Sequence, residues 1–143
     1  QNVKQIFMIT SETKIRVRYS ETDPMGYVYH GNYASYCHLS RTELLRKLGI
    51  SDKILEENDI LVPVIEMSMR FIKPAYYDDT LLVKTTLIEL PVSRFKFQNK
   101  IYNEENELIN EAVFTLVFID RKTRKPKRVP SFVSEKLALL IEN

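Results

Sequence analysis

The sequence predicts an α+β fold, a curved antiparallel sheet of five strands wrapped around one long central helix. Three observations predict it. Residues 12–20 alternate, with Ile15, Val17 and Tyr19 on one face and Lys14, Arg16 and Arg18 on the other, which is the period of a half-buried strand. Tyr33, Cys37, Ser40, Leu44 and Leu48 then recur every three to four residues, joined by Tyr36 and Leu45, which is the stripe of a buried helix face. From Leu61 onward the chain reads as strands separated by short polar turns, the pattern of an antiparallel sheet.

The first strand leads into the loop Tyr19-Ser-Glu-Thr-Asp-Pro-Met-Gly-Tyr-Val-Tyr-His-Gly-Asn-Tyr33. The helix follows and ends at Lys47-Leu48, with Gly49 placed to stop it. Its sixteen residues span about 24 Å, enough to lie across several strands. Ser51 caps a short second helix through Asn58. Val62 to Ile72 alternates and is closed by Pro74. Tyr77-Asp-Asp-Thr80 is turn chemistry, and Leu81 to Leu90 and Val92 to Tyr102 are strands separated by Pro91. Asn103-Glu-Glu-Asn106 connects a hairpin into a long strand from Glu107 to Ile119. A basic loop spans 120–129, and Pro130 opens a helix over Ser131 to Ile141. A single early helix with an apolar stripe leaves the other sheet face to be covered, so a homo-oligomer is expected.

The 143 residues suggest one domain, and the 44% hydrophobic content is enough to fill its core. One cysteine, Cys37, excludes an intrachain disulfide and a multi-cysteine zinc site, and both suit a reducing cytoplasm. No apolar run approaches the ~20 residues of a membrane span. Gln1-Asn-Val-Lys-Gln5 lacks the apolar core of a signal peptide, and it lacks a starting Met. The net charge of +2 hides an asymmetry. Arg121, Lys122, Arg124, Lys125, Lys127 and Arg128 place six positive charges in eight residues, on an otherwise mildly acidic chain. That patch suits a polyanion or a solvated loop. No aromatic residues interleave with it, which argues against single-stranded nucleic acid.

The loop at 19–33 holds two of the three glycines and one of the two histidines. Asp23 before Pro24 is ordinary turn chemistry. Beside a helix N-terminus, whose free N–H groups can hold an oxyanion, its carboxylate can also attack an acyl group or activate water. Gly26 permits a backbone conformation closed to other residues, and Gly31 is expected to let a ligand approach the backbone. His30 and Asn32 add donors, and Met25, Val28 and Tyr29 are expected along a channel. His38 lies eight residues beyond His30, and no other ligand spacing is recognisable, so no metal is expected. There is no Gly-x-Ser-x-Gly elbow. Cys37 on the apolar stripe reads as a packed, inert thiol. Glu43 reads as a surface carboxylate pairing with Lys47.

Residues 16–48, with Asp-Pro-Met-Gly-Tyr-Val-Tyr-His-Gly-Asn-Tyr at 23–33, resemble the hotdog-fold acyl-CoA thioesterases, in particular the 4-hydroxybenzoyl-CoA thioesterase branch. Arg70-Phe-Ile-Lys-Pro74, Asp79-Thr-Leu81 and the basic loop ending at Pro130 extend the resemblance over nearly the whole chain. It implies metal-free and cofactor-free hydrolysis of acyl-CoA, with Asp23 as nucleophile or general base. It implies that the backbone N–H of His30, opening the helix, polarises the thioester carbonyl, with Gly31 and Asn32 completing the catalytic loop. Tyr29 and Tyr33 are the implied substrate contacts. Lys125, Lys127 and Arg128 are the best candidates for the coenzyme A phosphates, with Arg121, Lys122 and Arg124 behind them. The resemblance also implies dimers with a continuous sheet, commonly tetramers, with active sites between subunits. Two alternatives stay within the fold. One is a dehydratase or hydratase, although the Gly-His-Phe-Pro and Asp-x-Asn-Pro-x-His signatures are missing. The other is an acyl-carrier-protein thioesterase, whose acidic partner would suit the basic loop. A non-enzymatic acyl-thioester-binding module is a third.

Overall fold

The computed structural model describes residues 9–142; the leader-peptide reading of residues 1–5 lies outside them. In chain order the elements are β1 (Thr10–Arg16), α1 (Asn32–Lys47), α2 (Asp52–Glu57), β2 (Ile60–Leu61), β3 (Val64–Phe71), β4 (Thr80–Leu87), β5 (Arg94–Tyr102), β6 (Leu108–Asp120), β7 (Pro126–Lys127) and α3 (Ser131–Glu142). All pairings are antiparallel, in the order β1-β4-β5-β6, and β6 also carries β3, β2 and β7. The five long strands are the five expected. The sheet has seven because β2 and β7, two residues each, are too short to show a period.

Boundaries moved where backbone hydrogen bonds compete. β1 starts earlier than expected and stops at Arg16 rather than running through Tyr19 and Ser20. Val17 donates to the Asp79 carbonyl (2.9 Å), and Tyr19–Glu21 winds into a 3-10 turn. Tyr19 therefore stands exposed, instead of sharing a buried face with Val17. The basic segment is not one loop, because Lys127 and Pro126 pair with Phe118 and Ile119. Proline suits that outer position, where no ladder donor is needed.

α1 lies against the inner face of the sheet. Tyr33, Tyr36, Cys37, Ser40, Leu44 and Leu45 are buried as its stripe predicts, and Arg41 is buried with them. Gly49, at φ +77°, ends the helix in the left-handed conformation, with Ile50 N–H on the Leu45 carbonyl at 2.9 Å. Ser51 caps α2 through the Ile54 N–H at 3.3 Å. Phe95, Phe97, Ile101, Phe114 and Phe118 form the floor under α1. A short polar chain crosses this interface: Ser40 Oγ lies 2.6 Å from Thr85 Oγ1, which accepts from Asn99 Nδ2 at 2.6 Å. β3 differs from the other long strands in being exposed along nearly its whole length. Among the described residues it pairs only with β6, so one of its edges stays open.

Candidate active site

The loop between β1 and α1 is a miniature hairpin. Thr22 bridges Val28, and Asp23 N–H donates to the Tyr27 carbonyl at 2.9 Å. Its tip is Asp23-Pro-Met-Gly26, closed by Gly26 N–H on the Asp23 carbonyl at 2.9 Å. Gly26 sits at φ +90°, which a residue with a Cβ rarely adopts. The Asp23 Oδ1 accepts the Met25 N–H at 2.9 Å. Its other carboxylate oxygen has no hydrogen-bond partner among the described residues. Tyr27 bridges Tyr76, and Val28 N–H donates to Ala75 at 2.8 Å, which ties the hairpin to the segment after β3.

Glu21 joins this hairpin to the start of α1. Its carbonyl accepts the Tyr29 N–H (2.9 Å) and Asn32 Nδ2 (2.8 Å). Its Oε1 accepts the Arg18 N–H (2.8 Å) and the Tyr36 hydroxyl (3.0 Å). Burial, and then the Glu21 carboxylate, push the Tyr36 phenol far up, so it is a fixed donor. The helix entry is closed by Asn32 N–H on the Tyr29 carbonyl (2.9 Å) and Tyr33 N–H on His30 (3.4 Å). The N–H groups of His30 and Gly31 have no acceptor among the described residues. They stand at the positive end of a sixteen-residue helix.

Beside this helix entry lies a cleft of about 340 Å³, lined by His30 but not by Gly31. Asp23, His30 and Tyr33 line it with Met25, Phe71 and Ile72. The Phe71 ring meets Tyr33 and His30 edge-on, with centroids 5.6 and 6.3 Å apart. Tyr33 is buried, and its hydroxyl accepts the Ala75 N–H at 3.4 Å. Burial raises its pKa, and the charges of Asp23 and Asp79 add to that. The site thus combines one half-buried carboxylate, two oriented N–H donors and an apolar aromatic wall.

The profile of the thioesterase-like superfamily matches residues 17–137. The chain belongs to that superfamily. It is 34% identical over 122 residues to the acyl-CoA thioester hydrolase YbgC of Escherichia coli O157:H7, covering 85% of this chain and 91% of the relative. Among solved structures it superposes on a DHNA-CoA thioesterase from Staphylococcus aureus with a TM-score of 0.84 at 32% identity, covering 93% of each chain. It also superposes on Slr0204, a 1,4-dihydroxy-2-naphthoyl-CoA thioesterase from Synechocystis, with a TM-score of 0.81 at 25% identity, covering 94% of this chain and 96% of that one. The fold is the hotdog fold of these thioesterases.

Within this thioesterase fold, Asp23, His30 and Tyr33 come together at the cleft, and Asn32 holds the helix entry. Tyr29 is not part of the cleft wall. Its ring lies on His30 at 4.4 Å and against Gly31, where an added Cβ would come within 2.8 Å of it. A side chain at Gly31 would therefore displace the Tyr29 ring. Val28 is largely buried and lines the cleft with Met25. Glu43 pairs with Arg46 instead of Lys47, because three residues along a helix also brings side chains together. Cys37 is buried, and its thiol is pushed up to about 12 by burial, as an inert thiol should be.

The basic hairpin does not meet the cleft of its own chain. Phe71 pairs with Asn110 and Lys127 with Phe118, eight residues further along β6, or about 27 Å of strand. Its six cations also divide. Arg121 and Lys122 pair with Glu56 and Asp59 at 3.4–4.0 Å, whereas Arg124, Lys125, Lys127 and Arg128 have no ion pair among the described residues. Glu21 and Arg41 escaped the sequence reading. The spacing of Glu21 to the Arg18 N–H is a turn signal, but its contacts to Asn32 and Tyr36 exist only once α1 docks.

Proposed function

We propose that this protein hydrolyses acyl-CoA thioesters to the free acid and coenzyme A at the cleft between Asp23 and the start of α1. The observation that carries this is the pairing of an incompletely hydrogen-bonded carboxylate with two unpaired N–H groups at a helix N-terminus. The relatives named for acyl-CoA and 1,4-dihydroxy-2-naphthoyl-CoA hydrolysis support it. The thioester carbonyl accepts from the His30 and Gly31 N–H groups, and Asp23 attacks the carbonyl carbon or draws a proton from an attacking water. Negative charge growing on the carbonyl oxygen is held by donors already in place; one such donor is worth about 3 kcal/mol in comparable sites. Asn32 keeps those donors aimed, Tyr33 and Phe71 flank the acyl group, and Tyr29 braces the His30 ring.

We place the coenzyme A phosphates on Lys125, Lys127 and Arg128 of a second copy, since the hairpin of the same chain is too distant. The open edge of β3, with Val64, Ile65, Met67 and Phe71 exposed, supports a homodimer or homotetramer with a continuous sheet. Cysteine usage supports a cytoplasmic setting, and no helix among the described residues is long and apolar enough to cross a membrane.

Free thiol trapped by a chromogenic disulfide, over a panel of straight-chain and aromatic acyl-CoA and acyl-carrier-protein thioesters, tests the activity. Thiol release supports the reading. Loss of enoyl absorbance without thiol release would replace it with a hydratase. Sedimentation as a monomer at micromolar concentration would remove the shared site.

A further inference from the structure

Asn110 on β6 is fully buried, and neither its side-chain oxygen nor its nitrogen has a hydrogen-bond partner among the described residues. Buried carboxamides are nearly always paired, so this one needs an explanation. Its position supplies a direction. Along β6 it shares the inner face with Ala112 and Phe114, and Phe114 lies under the Arg41 guanidinium of α1. Across the strand pair it stands opposite Phe71, a wall residue of the cleft. On its other side is Ile101, and diagonally the Asn99 of β5, whose Oδ1 is also buried and unpaired. Asn99 Nδ2 is held by Thr85, which leaves that oxygen as an acceptor. Ala112, opposite Asn99, is the small residue of the row. Next to the wall residue Phe71, which is 56% exposed, the adjoining strands thus hold two carboxamides with unused hydrogen-bonding capacity, both just outside the cleft lining.

We propose that Asn110 is a specificity-determining residue that hydrogen-bonds an oxygen substituent on the acyl group, with Asn99 Oδ1 as a second acceptor. A hydroxyl fits best, since it both donates and accepts and the Asn110 carboxamide offers both functions. The acyl group enters past Phe71, its thioester carbonyl stays at the His30 and Gly31 N–H groups, and its hydroxyl reaches the floor. A plain alkyl chain there leaves the amide desolvated and unpaired, which is how a polar site rejects an analogue lacking the matching group. This inference rests on the thioesterase reading.

The test uses hexanoyl-CoA against hydroxyhexanoyl-CoA thioesters with the hydroxyl at carbon 3, 4 or 5. In the wild-type protein at least one hydroxylated member should exceed hexanoyl-CoA in kcat/KM by about tenfold or more. Asn110→Leu should erase that ratio. Asn110→Ser, a smaller change, should reduce it and serves if the leucine variant does not fold. A ratio that is the same in wild type and variants, or a wild-type preference for hexanoyl-CoA, overturns the proposal. So does a lowered Tm with an unchanged ratio, the mark of a structural amide. If no thioester releases thiol, the hydrolase reading falls and the same ligands are read by thermal shift. Selective stabilisation by a hydroxylated member, lost in Asn110→Leu, then upholds Asn110 recognition, and equal or no stabilisation overturns it.

Discussion

Two aspartates in this protein build turns by the same device and end in different surroundings. Asp23 accepts the Met25 N–H two residues on. Asp120, at the end of β6, accepts the N–H groups of Lys122 and Thr123, both at 2.9 Å. Asp120 faces solvent among cations, and its carboxyl is held below the usual range by the Thr123 N–H, with help from Lys122, the Thr123 side chain and Lys127. Asp23 lines a mainly apolar cleft with Lys73 at its wall, beside N–H donors that have no acceptor among the described residues. An aspartate in a turn is a site residue when the fold brings a cleft and oriented donors to its unused oxygen. The turn alone does not decide it.

The largest expected effect breaks the pair at Asp23. Asp23→Asn keeps an oxygen for the Met25 N–H, so the turn and the Tm should survive. It removes the anion, and kcat should fall about a thousandfold, some 4 kcal/mol of barrier. Thiol release by folded Asp23→Asn at near wild-type rate would take Asp23 out of the chemistry.

Glu21 comes next, because it holds the helix entry through Arg18, Asn32 and Tyr36 and does not line the cleft. Both contacts of its carboxylate use Oε1, which glutamine can reproduce. Glu21→Ala leaves the Tyr36 hydroxyl and the Arg18 N–H without this acceptor, at about 1–3 kcal/mol. We expect kcat to fall roughly tenfold to a hundredfold, in line with that energy, with KM little changed. Glu21→Gln should restore most of it. A loss confined to KM would point to substrate contact instead.

The loop at 19–33 was legible as a candidate site because its signals are local: Asp before Pro, glycine at a strained turn, and a helix stripe opening at Tyr33. The five long strands and α1 were legible from period. What the sequence hid depends on register. Arg41 is buried although it is a cation, and it packs 5.1 Å over the Phe114 ring, with His38 Nδ1 2.9 Å from its Nη2. The exposure of Tyr19 follows from one backbone bond between Val17 and Asp79. The separation of hairpin and cleft follows from which residues of β6 meet β3 and β7, and no run of charges reports that.

The hairpin separates the two aspartates in a third way. Replacing Lys125, Lys127 and Arg128 with alanine together should raise KM for acyl-CoA about tenfold at low salt, from exposed contacts of under about 1 kcal/mol each. The effect should shrink as ionic strength rises. kcat should hold, since the hairpin is remote from the reacting carbonyl. An unchanged KM would move the phosphate site elsewhere.

The smallest effect is expected at Asp120, and it should appear in stability rather than turnover. The folded-state pKa of Asp120 is depressed by its N–H bonds and nearby lysine. Its contribution is therefore complete above the unfolded carboxylate pKa of about 3.9, and it is lost as pH falls through the lower folded value. Asp120→Ala should lower Tm slightly at neutral pH, and the gap from wild type should close on acidification below about pH 4. A gap that persists in acid would mean that the side chain acts by packing rather than by charge. The comparison sharpens when both variants are measured side by side. Asp23→Asn should change turnover at constant Tm, and Asp120→Ala should change Tm at constant kcat, because only one of the two turns opens onto a cleft.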